Sequence, residues 1–256
     1  MIDRRHSLRM LALLGWVALA GLPLAAAAQE EAPVVAAAAD LQFAITEIAE
    51  AFKAETGKEV RITTGSTGNA ARQIREGAPF QMFMAADEKF VLDLARDGLT
   101  RDKGTLYAVG RIVMIVPKGS ALKADGSLAS LKTALAAGTV TKFAIANPEH
   151  APYGKRAEET LRHEGLWGAV QPHLVLGENV SQTAQFVLSG NATAGIIAYS
   201  LALSPEISAK GDFELISDEW HEPLRQRMVL LKNAGQVAEE FFAYMGKPAA
   251  RAIMKR

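Results

Sequence analysis

Short apolar runs alternate with helical segments along this chain, and this alternation constrains the fold more than any other feature. The runs at 34–39, 59–64 and 80–86 are apolar or rich in β-branched residues, as strands are. After each run, apolar residues recur every three or four positions, which is the spacing of one helix face. Three strand–helix units in succession predict a parallel sheet with helices on its faces.

The alternation restarts in the middle of the chain, which predicts a second lobe of the same class. The apolar run 110–119 is broken by Pro117 and is expected to carry the chain from one lobe to the other. Strand and helix patterns then alternate again. A late strand at 227–231 and two C-terminal helices are expected to return to the first lobe.

The N-terminus has the three parts of a secretory signal peptide. Three arginines within the first nine residues precede an apolar core at 10–20 and a small-residue cleavage site at 26–28. The core is too short to span a membrane comfortably, so we expect an exported protein that does not itself cross a membrane. The pair Arg4-Arg5 could also belong to a twin-arginine signal. The predicted boundaries are a cleaved signal peptide at 1–28, lobe 1 at 30–113, lobe 2 at 114–224 and a return segment at 225–256 that completes lobe 1.

Composition excludes several classes of protein. The 256 residues include 28 basic and 28 acidic side chains and no cysteine. Balanced charge gives no sign of a nucleic-acid partner, and the lack of cysteine excludes disulfides, thiolate metal sites and a cysteine nucleophile. The histidines lack a metal-ligand spacing, and Ser66 lacks the Gly-x-Ser-x-Gly elbow of a nucleophile. We therefore expect neither an enzyme nor a bound metal or cofactor.

The segment 64–74 reads as a strand end, a tight turn and a helix start. Gly65 and Gly68 allow a tight turn, and Ser66 and Thr67 supply hydroxyls that can cap the helix. The free N–H groups and the dipole of such a helix start attract anions. The segment matches neither a phosphate-binding P-loop nor a dinucleotide fingerprint. Taken alone, the segment is more simply interpreted as an ordinary capped helix.

Three other places repeat this design, in which an apolar strand is followed by a small or polar loop and a helix start. Ligands of open α/β sheets bind outside the carboxyl ends of the strands, so the four loops are expected to face each other across a cleft. None of the loops contains a lysine or arginine, which favours a small oxyanion held by N–H and hydroxyl groups. About five such hydrogen bonds at ~1.5–3 kcal/mol each make micromolar or tighter binding feasible. The loops are 39–40, 65–68, 152–154 and 179–181.

Several motifs in this order resemble those of the periplasmic molybdate-binding proteins of ABC transporters. They are AAADL at 37–41, GSTGN at 65–69, GAPF at 77–80 with AADE at 85–88, ANPEHAPYG at 146–154 and GENVSQ at 177–182. The resemblance implies the two-lobed periplasmic binding-protein fold, in which each lobe is a mixed, mostly parallel sheet flanked by helices and the ligand binds between the lobes. It implies a monomeric receptor that captures molybdate, usually tungstate too, by uncharged hydrogen bonds and delivers it to a membrane ABC permease.

The resemblance also carries ligand-binding residues onto this chain. Some members place a tyrosine after the strand that here ends at Ala198, so the hydroxyl is expected from the Pro-Tyr-Gly motif instead. The N–H group of one residue at the start of the last loop's helix is expected to act as a backbone donor. The predicted site residues are Asp40, Ser66, Thr67, Tyr153 and Val180.

Asp40 departs from the family pattern, where serine or asparagine is usual. A carboxylate beside a dianion is repulsive, and more so where water is scarce. Asp40 could cap its own helix and point away from the ligand, or it could share a proton with the ligand. The third alternative is another ligand: a protonated oxyanion such as phosphate, a cation or an organic acid.

Overall fold

The computed structural model describes residues 31–255. In these residues the chain forms two five-stranded sheets. The predicted signal peptide at 1–28 lies outside the described residues. The first run of elements is β1 (Val34–Ala38), α1 (Gln42–Thr56), β2 (Arg61–Gly65), α2 (Thr67–Arg75), β3 (Phe80–Ala85), α3 (Glu88–Arg96) and β4 (Thr105–Gly110). A single turn of 3-10 helix at Ala39–Leu41 joins β1 to α1.

The second sheet and the return segment follow. The elements of the second run are β5 (Ile112–Pro117), α4 (Ala129–Ala136), β6 (Phe143–Ala146), α5 (Pro152–His163), α6 (Trp167–Val170), β7 (Leu174–Gly177), α7 (Val180–Leu188), β8 (Ala194–Ala198), α8 (Tyr199–Ala202), α9 (Pro205–Ser208) and β9 (Gly211–Leu215). The return segment comprises β10 (Leu224–Leu230), α10 (Gln236–Tyr244) and α11 (Pro248–Met254).

The two sheets have the same layout. The strand orders are β2-β1-β3-β10-β4 and β7-β6-β8-β5-β9. In each sheet the fourth strand, β10 or β5, is antiparallel to both neighbours, and the other four strands share one direction. The α/β prediction of two mostly parallel lobes is confirmed. Because β1 and β2 occupy the places that β6 and β7 occupy in the other sheet, the helix starts that follow them are matched pairs.

The predicted crossover between the lobes needs a correction. β4 ends at Gly110 in the first sheet and β5 begins at Ile112 in the second, so the chain passes between sheets at Arg111 and the predicted boundary at 113 falls inside β5. The strands β4 and β9 are absent from the sequence prediction. Both are edge strands with mostly half-buried or exposed residues, so neither carries the apolar run that marks a buried strand.

The return segment completes the core of the first lobe. Phe52 of α1 makes edge-to-face contacts with Phe241 and Tyr244 of α10, with ring centroids 5.2 and 5.4 Å apart. All three side chains are buried. The C-terminal helices therefore cover α1, as the apolar spacing of α10 indicates. Within residues 31–255, no helix combines the length and the apolar character that crossing a membrane requires.

Candidate functional site

The four predicted loops meet at one small, nearly filled cavity of about 10 Å³ between the two sheets. All five predicted site residues line it, and the described residues that line it include no lysine or arginine. The other lining residues are Ala38, Ala39, Gly65, Ala86, Ala151, Pro152 and Asn179. The cavity is therefore surrounded by helix starts and small side chains rather than by cations.

Lobe 1 contributes the start of α2. Ser66 is the N-cap, and its hydroxyl accepts a hydrogen bond from the N–H of Asn69 at 3.4 Å. Thr67 is buried, and its hydroxyl oxygen accepts from the N–H of Ala86 at 3.0 Å, which ties α2 to the end of β3. The N–H of Thr67 stands in the first turn, where the helix itself supplies no acceptor.

Lobe 2 contributes the starts of α5 and α7. Pro152 occupies the first turn of α5, where its missing N–H and fixed φ suit a helix start. Asn179 caps α7 by accepting from the N–H groups of Ser181 and Gln182 at 3.0 and 3.1 Å. That cap leaves the N–H of Val180 without a helical acceptor. Val180 also lines the cavity.

Asp40 is buried, and its carboxyl group is bonded at one oxygen only. Oδ2 accepts from the hydroxyl of Tyr153 at 3.0 Å and from Nε2 of Gln226 at 2.8 Å. Oδ1 is buried without a hydrogen-bond partner among residues 31–255. The side-chain donors to the carboxyl group are Tyr153 and Gln226 from other elements, which argues against the interpretation that Asp40 caps its own helix. Burial raises the pKa of Asp40, and hydrogen bonds from Gln226, Tyr153 and the backbone of Asp40 itself oppose that shift only in part.

Gln226 is a buried partner of Asp40 that the sequence does not predict. It lies on β10, is 2% exposed, and also donates from Nε2 to the hydroxyl of Tyr153 at 2.9 Å. The sequence predicts this strand only from Arg227 onward, so it leaves Gln226 outside. The sequence does contain a pattern that could locate Gln226 on the strand, because Leu224, Gln226 and Met228 alternate as the buried face of β10. A glutamine among inward-facing apolar residues requires a buried polar partner.

The lobes touch each other around the cavity. The N–H of Gly68 and the hydroxyl of Ser66 both donate to the carbonyl of His150 in lobe 2, at 2.9 and 2.8 Å. The hydroxyls of Ser181 and Ser200 in lobe 2 donate to the carbonyls of Ala39 and Asp40 in lobe 1, at 2.9 and 3.0 Å.

An ion pair adds to these contacts across the cleft. It joins Arg156 of α5 to Asp87, the cap of α3, at 2.9 Å. Together with the hydrogen bonds, it holds the two lobes in a closed arrangement over the cavity. Two lobes of matched topology that close on a cavity lined by helix starts define the class of a two-lobed solute-binding protein.

Comparisons with known proteins agree with this class. The family model described as bacterial extracellular solute-binding protein matches residues 33–256. The molybdate-binding protein ModA of Azotobacter vinelandii is 33% identical over 242 residues, covering 93% of this chain and 94% of that protein. The molybdate-binding protein ModA of Rhodobacter capsulatus is 32% identical, covering 92% and 90%.

A solved structure agrees as well. The periplasmic molybdate-binding protein of Azotobacter vinelandii superposes with a TM-score of 0.79 at 30% identity, covering 88% of this chain and 96% of that one. The chain belongs to the bacterial extracellular solute-binding protein family. This membership confirms the resemblance inferred from the motifs and agrees with the prediction of a receptor rather than an enzyme.

Proposed function

We propose that this chain captures molybdate, and tungstate as well, between its two lobes and delivers it to the permease of an ABC transporter. The observation that carries the proposal is the convergence of four helix starts on one small cavity whose described lining has no cation. The names of the relatives point to the same ligand. We further propose that the protein acts in the periplasm as a monomer without a cofactor.

The electrostatics of the cavity suit a small dianion. Each helix start presents N–H groups that lack intrahelical acceptors, together with the positive end of the helix dipole. Such groups stabilise negative charge without forming a salt bridge, so the ligand can still be released to a permease. Cationic side chains would hold any anion by charge alone, whereas N–H and hydroxyl groups of fixed direction select for a tetrahedral set of oxygens.

Each of the five residues has a proposed role. Thr67 supplies a hydroxyl, Ser66 and Thr67 supply N–H groups at the start of α2, and Val180 supplies its backbone N–H. Tyr153 supplies the N–H near the start of α5 and a hydroxyl that holds Asp40. The role of Asp40 depends on its protonation state, because an ionised carboxylate would repel the ligand.

A thermal-shift panel tests the ligand. Only molecules that bind the folded state raise the melting temperature, and a ligand at 100 times its Kd adds about 2.7 kcal/mol. For a chain of this size we expect molybdate and tungstate to raise the melting temperature by roughly 5–10 °C. Sulfate is the matched control, since it is a smaller tetrahedral dianion.

Each other outcome of the panel has a defined meaning. A shift with phosphate, a divalent cation or an organic acid, and none with molybdate or tungstate, would replace the proposed ligand by that class. Flat curves for both molybdate and tungstate would overturn the proposed function.

Replacing Tyr153 by phenylalanine tests its hydroxyl. The variant removes one donor to Asp40 and the acceptor of a Gln226 bond. We expect molybdate affinity to fall by roughly 1–2 kcal/mol, about 5- to 30-fold, in isothermal titration calorimetry. Tyr199→Phe is the control, because that tyrosine lies on α8 outside the cavity lining. Equal affinities for the two variants would remove the Tyr153 hydroxyl from the site.

A further inference from the structure

The two carboxyl oxygens of Asp40 differ in the hydrogen bonds that they accept, and this difference indicates which oxygen would be protonated. Oδ2 receives two donors, the Tyr153 hydroxyl at 3.0 Å from lobe 2 and the Gln226 amide at 2.8 Å from β10 of lobe 1. Oδ1 is buried and has no partner among the described residues. In a neutral carboxylic acid the carbonyl oxygen accepts, and the hydroxyl oxygen donates. Two donors on Oδ2 assign the carbonyl role to that oxygen and the proton to Oδ1.

We infer that Asp40 binds the oxyanion as a neutral carboxylic acid, with Oδ2 held by Tyr153 and Gln226 and the Oδ1 hydroxyl donating to a ligand oxygen. The inference rests on the proposed function of the same site. It makes Asp40 a proton-linked donor in the place where the family resemblance leads us to expect serine or asparagine. Gln226 then acts as a positioning residue, because it fixes Oδ2 and leaves Oδ1 for the ligand.

The surroundings of Asp40 favour the neutral form, since no described residue forms an ion pair with it. The hydroxyl of Tyr107 on β4 donates to the carbonyl of Ala85 at 3.1 Å, and Arg111 pairs with Asp218 at 3.5 Å. Lys255 borders the groove of about 270 Å³ on the other side of Asp40.

Tyrosines from neighbouring elements complete the titratable groups near Asp40. Tyr199 of α8 lines the groove on the far side, and Tyr153 of α5 makes direct contact. Burial raises the pKa of Tyr153 well above its ordinary value, so this hydroxyl stays a donor. Burial likewise raises the pKa of Asp40 itself.

A donor in the form of a neutral acid makes binding depend on pH with a defined sign. Only protonated Asp40 donates to the ligand, and raising the pH depletes that form. Above the pKa that Asp40 has in the ligand-free protein, each pH unit should weaken binding about tenfold, with one proton taken up per ligand. A serine or asparagine donor in this position would produce no such dependence.

Calorimetry on the wild type and on Asp40→Asn tests the inference. Molybdate and tungstate would be titrated from about pH 6 to 9, in buffers of different ionisation enthalpy that report the protons exchanged. We expect wild-type affinity to fall with rising pH, by up to about tenfold per unit, with about one proton taken up. Asp40→Asn keeps the shape and supplies an amide N–H that does not titrate. Its affinity should therefore stay level and equal or exceed the wild-type value at the upper end of the range.

The possible contrary results are distinct. Wild-type binding that is independent of pH and takes up no proton would overturn the inference and leave the proposed function in place. An Asp40→Asn variant that keeps the wild-type pH profile would also overturn it, because the proton-linked group would then lie elsewhere in the protein. If neither protein binds molybdate or tungstate at any pH, the proposed function fails and the inference fails with it.

Discussion

Gly68→Ala is expected to weaken molybdate binding at least about 100-fold while leaving the ligand-free protein as stable as the wild type or more so. Gly68 is the second residue of α2, and its N–H donates to the carbonyl of His150 across the cleft at 2.9 Å. A Cβ atom at this position would lie 2.5 Å from that carbonyl oxygen and 2.9 Å from the Cα of His150. Both atoms belong to the backbone, so the lobes have to move apart.

The two effects of this substitution oppose each other, which makes the result diagnostic. Within α2, alanine favours the helix by up to about 1 kcal/mol relative to glycine. Separation of the lobes, however, removes the donors of α5 and α7 from the ligand. Two hydrogen bonds to a charged ligand at ~1.5–3 kcal/mol each account for the expected loss. Stability and affinity should therefore change in opposite directions.

Calorimetry and ligand-free thermal unfolding measure the two effects separately. Gly168→Ala in α6 is the control, because a Cβ atom there meets nothing within 4 Å. We expect that variant to bind as the wild type does. Wild-type affinity in Gly68→Ala would show that ligand capture does not need the closed contact at His150.

Val180→Pro is expected to weaken binding by about 1.5–3 kcal/mol beyond the loss in Val180→Ala, a further factor of roughly 10 to 150. Proline removes the N–H group that is proposed to donate to the ligand, and the first position of a helix tolerates proline. The preceding residue, Asn179, has φ −152° and ψ 174°, an extended conformation that suits a following proline.

The alanine variant isolates the N–H group from the side chain. Val180 is 3% exposed, so both variants lose buried apolar contacts, and their stabilities should fall together. Only the proline variant also loses the donor. Equal affinities of the two variants would remove the Val180 N–H from the proposed site.

Local patterns in the sequence were sufficient for the elements around the cavity. Strands such as 80–86 are apolar because both faces of a central strand are covered, and the helix starts carry capping residues such as Ser66. Apolar runs and capping residues can be recognised from a few neighbouring residues, without knowledge of the tertiary structure. Edge strands β4 and β9 were missed because one side of each faces solvent, which removes the apolar run.

The sequence by itself therefore determined the α/β class, the two lobes and the four helix starts, since strand burial and helix capping are encoded by neighbouring residues. Only the tertiary structure decided the environment of Asp40. Its partners Tyr153 and Gln226 lie 113 and 186 residues further along the chain, on α5 and on the returning β10. No local sequence pattern predicts the contact of Asp40 with Tyr153 and Gln226, because these side chains meet only when both lobes have folded and closed. The protonation state proposed for Asp40, and with it the pH dependence of ligand capture, follows from that contact.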